Sequence, residues 1–249
     1  MKILACYNIK GGVGKTTTTV NLAHLCALEG ARVLVWDLDP QGAASFYFRI
    51  KPKVKGGMKR LLSGRSSVSQ HIKGTDYHNI DLIPADFSYR HLDVMLESMK
   101  KSKVRLKKLL KPLVDEYDYV FLDCPPSFSM VSENVFYASD ALNIPTIPTI
   151  LSLRTLEQII RYRDKKALKG TQLIPFFSMV DRRKTMHRMI VEMPPKLGVQ
   201  FAEADIPYAS DVERMGFERK PLILFKPNIR AAESYRNLWQ TIKARLSGA

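Results

Sequence analysis

The stretch KILACYNIKGGVGKTTTTVNLAHLCALEG (2–30) constrains the fold more than any other part of the chain. A short apolar run, KILACY (2–7), enters a loop with glycines at 11, 12 and 14. A helical pattern leaves the loop. From Thr16 to Glu29, Val20, Leu22, Ala23, Leu25, Cys26 and Leu28 mark its apolar positions, and Gly30 follows as a left-handed cap. Lys15 and Thr16 stand where G-x-x-x-x-G-K-[ST] places its lysine and hydroxyl. In a strand–loop–helix unit of this kind, backbone N–H groups close around phosphate oxygens without a Cβ in the way, and the helix dipole faces the anion. Lys15 supplies a point charge to the phosphates and Thr16 a hydroxyl to Mg²⁺. A second lysine, Lys10, precedes the first glycine, where the pattern requires none.

The rest of the chain alternates short apolar runs with helical stretches. That pattern predicts an α/β fold with a mainly parallel, twisted sheet covered by helices in three layers, α/β/α. RVLVWDLDP (32–40), IDLIPA (80–85), YDYVFLDCPPS (117–127), ALNIPTIP (141–148) and QLIPFFSMV (172–180) are the further strand candidates, the last two with prolines that blur their boundaries. SMVSENVFYASDA is helical in pattern. Ala231 to Leu246 is amphipathic, with Tyr235, Leu238, Trp239, Ile242 and Leu246 on one stripe. Basic, Gly- and Ser-rich residues 49–75 read as a surface excursion. With 249 residues, no repeat and no long linker, 1–249 reads as a single domain of the P-loop NTPase type.

Two strand ends carry carboxylates. Asp123 follows YVFL in the Walker-B arrangement and would reach Mg²⁺ through water. Asp37 and Asp39 close the second strand as DLDPQG, and their i, i+2 spacing aims both at one bound triphosphate.

Together these motifs resemble one family. KGGVGKTT (10–17) resembles the deviant Walker A motif of the ParA/MinD group of P-loop ATPases, and DLDPQG (37–42) and DCPPS (123–127) resemble its other two signatures, DPQG pointing to the ParA-type partitioning ATPases. The likeness runs on, more loosely, through ADIPYASDVERMGFERKPLI (204–223). It implies an ATPase using ATP and Mg²⁺, with slow hydrolysis stimulated by a ParB-like or other adaptor. It also implies an ATP-sandwiching homodimer in which Lys10 reaches the phosphates held by the partner subunit. The implied nucleotide site comprises Lys10, Gly11, Gly12, Val13, Gly14, Lys15, Thr16 and Thr17, with Met179, Val180 and Pro207 at the adenine. Lys10, Lys15 and Asp39 are the implied catalytic residues, Asp39 orienting the attacking water. Thr16, Asp37 and Asp123 serve the metal.

Thirty-nine Lys and Arg against 24 Asp and Glu give a net charge of +15, which suits a polyanion partner. Seven of the twelve residues 100–111 are basic (Lys100, Lys101, Lys103, Arg105, Lys107, Lys108, Lys111), interleaved at helical spacing with Val104, Leu106, Leu109, Leu110 and, beyond them, Leu113. Two further clusters are Arg161, Arg163, Lys165, Lys166, Lys169 and Arg182, Arg183, Lys184, Arg188. No aromatic residues interleave for stacking, so phosphate contact without sequence reading is expected. The resemblance implies non-specific DNA binding in the ATP state, with Arg183 and Lys220 as candidate contacts; Arg161 and Arg163 are candidates from their basic cluster. Asp211 stands where a DNA-contacting arginine is expected, so that contact is lost or moved.

No apolar run of about 18 residues is present, so no transmembrane helix is expected. MKILACYNIKGG lacks the features of a secretory signal. Cys6, Cys26 and Cys124 have no metal-type spacing and read as buried free thiols of a reducing compartment. A cytoplasmic, nucleoid-associated protein is expected. A MinD-like membrane-surface ATPase is the alternative, resting on the C-terminal amphipathic stripe. A metabolic or metal-delivery ATPase would need an added substrate site or a C-x-x-C pair, and the sequence has no such pair.

Overall fold

The computed structural model describes residues 1–54, 57–99, 102–166, 168 and 170–248. Its centre is a seven-stranded sheet: β1 (Lys2–Cys6), β2 (Val33–Asp37), β3 (Lys73–Gly74), β4 (Ile80–Ile83), β5 (Tyr119–Asp123), β6 (Ala141–Thr146) and β7 (Gln172–Phe177). The order is β3-β4-β2-β5-β1-β6-β7. Every pairing is parallel except the short β3–β4 edge. β1, β2 and β5 read KILAC, VLVWD and YVFLD and are buried almost throughout, because helices cover both faces of a parallel sheet. Pro145 and Pro175 lie inside β6 and β7. β7 is an edge strand, where a missing N–H costs no ladder bond.

One helical layer contains α3 (Gly57–Leu62), α4 (Leu92–Glu97), α5 (Arg105–Leu110), α6 (Met130–Ala138) and α7 (Ile150–Lys165), packed around Trp36, Leu122 and Ile144. The other contains α1 (Lys15–Leu28), α9 (Ser210–Glu218), α10 (Leu222–Phe225) and α11 (Arg230–Ser247), packed around Phe121 and Phe176. α2 (Ala43–Tyr47) follows β2, and α8 (Thr185–Glu192) follows β7. α1 lies between the sheet and α11 and is buried nearly all round, although Leu28 at its end stands exposed. Trp239 of α11 packs edge-on to Tyr119 and donates its indole N–H to Glu29 at 3.0 Å.

Several expectations change. Residues 49–75 are not a mere surface excursion. Met58, Leu61 and Leu62 form the buried side of α3, and Val54 and Val68 join the same core; basic and glycine residues mask that stripe in the sequence. The 105–113 stretch is not one helix, because Pro112 turns its end into a 3₁₀ segment. Leu106, Leu110 and Leu113 are buried, whereas Val104 and Leu109 are only partly so. Lys100, Lys101 and Lys169 lie outside the described residues. The C-terminal stripe of Tyr235, Leu238, Trp239, Ile242 and Leu246 is buried on the sheet, so it offers no apolar face to a membrane. Among the described residues, no helix is long and apolar enough to cross one. All three cysteines are buried and free.

His24 lies inside α1 with neither ring nitrogen hydrogen-bonded, and burial pushes its pKa down to about 4. The unfolded chain takes up this proton near the ordinary value of about 6.5, the folded one only near 4, so the native state loses stability as pH falls through that window. Relative to His24→Phe, the wild type is expected to lose about 2 kcal/mol more between pH 7 and pH 5. Urea denaturation at both pH values measures this, and equal losses would show that His24 carries no such linkage.

Candidate nucleotide site

The site lies at the C-terminal ends of β1, β2 and β5, where an open α/β sheet leaves its crevice. From β1 the chain runs through Asn8, whose side chain donates to Pro145 O (2.8 Å) and accepts from Lys10 N (2.9 Å). Residues 11–14 then cross to α1. Gly12 and Gly14 have φ of 68° and 93°, a left-handed conformation that L side chains resist. A Cβ on Gly14 would also come within 3.0 Å of Ser178 Oγ, so the loop fits closely against the β7 exit. A Cβ on Gly11 or Gly12 would meet no protein atom within 4 Å; this open space borders the loop's N–H groups.

Lys15 is 7% exposed. Its ammonium donates to Lys10 O at 3.1 Å. Burial lowers its pKa from the ordinary lysine value, while Asp123, Cys124 and Asp39 oppose that shift. Thr16 Oγ1 donates to Asp123 Oδ2 at 2.8 Å, and Thr19 Oγ1 lies 3.3 Å from Asp123 Oδ1. Lys10 Nζ donates to Ser152 Oγ, 3.2 Å away near the start of α7.

The three carboxylates do not share one environment. β2 and β5 place Asp37 directly beside Asp123, and both are fully buried. Asp37 Oδ2 takes the backbone N–H and the hydroxyl of Ser45, each at 2.7 Å. Ser45 Oγ in turn accepts from Ala85 N at 2.9 Å. Burial first, and Asp39 nearby, raise Asp37 to about 6. Burial and then Asp37 push Asp123 well above the usual carboxylate range. Of the three, only Asp39 borders the cleft. The i, i+2 rule fails here because β2 ends at Asp37. Beyond it the chain turns, with Leu38 N donating to Asp123 O and Gly42 N to Asp39 O. A hard cation suits this oxygen-rich corner, with a hydroxyl at its front and two neighbouring carboxylates behind that repel one another in its absence.

The cleft measures about 360 Å³ and runs from residues 11–17 to Met179, Pro207, Tyr208, Val212 and Glu213. That size and shape suit a nucleotide. A bridge pairs Val180 with Pro207, so the exit of β7 and the start of α9 form one wall. Lys10 and Val180 are not in the cleft lining, whereas Met179 and Pro207 are. Tyr47, Pro126, Ser178, Glu213 and Tyr235 also line it, and sequence reading did not assign them to it. Tyr235 arrives from α11, and no local motif marks it.

The residues proposed for DNA lie apart. Arg161 and Arg163 are on the last turns of α7, whose core side joins one layer, and they pair with Glu157 and Asp164. Arg183 follows β7 and pairs with Asp181 at 2.9 Å. Lys220 lies between α9 and α10 of the opposite layer and is half-buried.

A family model described as an AAA domain matches residues 1–173. The chain is 34% identical to the sporulation initiation inhibitor protein Soj of Bacillus subtilis (strain 168) over 249 residues, covering 98% of each chain. It belongs to the ParA-type ATPases of the deviant Walker A P-loop family. Another member, the chromosome partitioning protein ParA of Myxococcus xanthus (strain DK1622), is 30% identical over 250 residues, covering 98% of this chain and 88% of that one. In structure, this ParA-type chain also resembles cobyrinic acid a,c-diamide synthase from Mycobacterium smegmatis, solved with a bound ATP analog and magnesium. The TM-score is 0.81 at 25% identity, with 100% of this chain and 97% of that one covered.

Proposed function

We propose that this ParA-type ATPase is an ATP-dependent dimerisation switch that binds DNA without sequence preference in its ATP state and positions or segregates a cargo. The observation that carries the reading is Lys10. It stands at the mouth of the phosphate loop, yet the loop already has its own lysine, and the Lys10 ammonium rests on Ser152, half-exposed. A cation there can leave Ser152 and serve phosphates held by a second subunit, which makes dimerisation depend on the triphosphate.

Within one subunit the loop N–H groups and Lys15 hold the phosphates, and Met179 and Pro207 border the base. Thr16, with Asp123 and Asp37 behind it, would hold Mg²⁺, which would supply charge neutralisation to the phosphates. Asp39 orients the attacking water. Its Oδ1 accepts from Gln41 N at 2.9 Å, which fixes the carboxylate and leaves its second oxygen for the water. Hydrolysis is slow until a ParB-like or other adaptor completes the site, and the protein works on the nucleoid in the cytoplasm. Arg183 is the leading DNA contact, with Lys220, Arg161 and Arg163 as further ones. Because Asp181 holds Arg183, DNA phosphates must displace that carboxylate.

Binding to a random-sequence duplex tests this reading, measured with ATP, ADP and no nucleotide across a salt series. Tight binding only with ATP is expected, with a log–log salt slope of roughly 0.9 per phosphate neutralised. Equal binding in all three states would reduce the effect to basicity. No binding in any state would remove DNA from the reading.

A further inference from the structure

The cleft has two chemically different ends. The α1 end offers the N–H groups of the loop and the Lys15 ammonium, so the anionic phosphates belong there. The end built from the β7 exit and the first turns of α9 is left for the nucleoside. Met179, Pro207 and Val212 supply apolar contact to it. Only two carboxylates line the cleft among the described residues, Asp39 and Glu213, and Glu213 belongs to this nucleoside end.

Glu213 differs from the other acids of its helix. Asp211 and Glu218 both pair with Arg214, at 3.7 and 3.2 Å. Glu213 has no ion pair among the described residues. Its Oε1 accepts the Tyr208 hydroxyl at 3.0 Å, and Tyr208 lines the same end. That bond orients the carboxylate and leaves Oε2 as an open acceptor. Glu213 also lies in the first turn of α9.

We infer that Glu213, oriented by Tyr208, selects the base: its free oxygen accepts a hydrogen bond from the 6-amino group of a purine and repels a 6-oxo group. The assignment rests on the ATP reading above and adds a side-chain criterion to it. An oxygen facing position 6, and not the N1–H that 6-oxo purines carry beside it, meets a donor in adenine and an acceptor in hypoxanthine or guanine, so it disfavours the 6-oxo bases. A ribose hydroxyl could donate to the same carboxylate, so the test must separate base from sugar.

Calorimetric titration with ADP, IDP and 2′-deoxy-ADP, none of which turns over, provides that separation. Wild type is expected to bind ADP about tenfold more tightly than IDP. Glu213→Ala should bring the ADP/IDP ratio close to one. Glu213→Gln, which offers both a donor and an acceptor, should hold the two nucleotides nearly equally, and Tyr208→Phe should fall between wild type and Glu213→Ala. The ratio of ADP to 2′-deoxy-ADP should stay constant throughout. An ADP/IDP ratio unchanged in both Glu213 variants overturns the inference while leaving ATP binding intact. So does a change confined to the deoxy ratio, which would place Glu213 on the ribose. If wild type binds none of the three, the nucleotide reading itself fails.

Discussion

Lys15→Ala is expected to abolish ATP binding at working concentrations, a loss of about 4 kcal/mol or roughly a thousandfold. The size of the effect follows from the lysine's surroundings. Its ammonium is almost fully withdrawn from water and held at the loop by the carbonyl of Lys10. In that setting a charge-assisted bond to phosphate is screened far less than at an open surface. Removing the side chain also removes a desolvated cation, so the fold should persist. Equilibrium binding of a fluorescent ATP analogue, with a melting curve to confirm folding, reads the result. A folded variant that binds normally would sink the phosphate-loop assignment.

Asp39→Ala is expected to leave ATP binding within about threefold of wild type and to cut turnover by about 10²–10³. The separation rests on position: Asp39 borders the cleft, while Asp37 and Asp123 are buried, which is why the proposed function gives Asp39 and not the other two the attacking water. Because Asp39 also accepts from Gln41 N, Asp39→Asn serves as the control that keeps the turn and loses the charge. Single-turnover phosphate release should collapse in both variants, with the proposed nucleotide-bound dimer expected to persist. Unchanged release would remove Asp39 from the mechanism.

What the sequence disclosed depended on how local the cause was. The phosphate loop was legible because strand, glycines, lysine and helix lie within thirty residues and each constrains the next. Asp123 was legible for the same reason: YVFL fixes the strand and the carboxylate ends it. Asp37 was legible as a residue but not as an environment, because its burial is set by Ser45 and, through it, by Ala85 at the end of β4. The parts of the cleft contributed by distant helices were least legible. The cleft walls are shared by Tyr47, Glu213 and Tyr235 from α2, α9 and α11, and no short-range pattern marks such an assembly. Core placement failed where composition misled, as in α3, whose buried Met58, Leu61 and Leu62 are set among lysine, arginine and glycine.

The bond from Lys10 to Ser152 bears on the assembly proposed above. A lysine waving in solvent would join a second subunit at the cost of its own freedom alone. Here the ammonium is docked near the start of α7, so the proposed recruitment would be an exchange in which one hydroxyl acceptor is surrendered before phosphate oxygens are gained. Under the proposed pairing, the isolated chain would be a latched form rather than half of an unfinished pair. If the subunits pair as proposed, Ser152→Ala is expected to lower the threshold for pairing, because it removes the acceptor that holds Lys10.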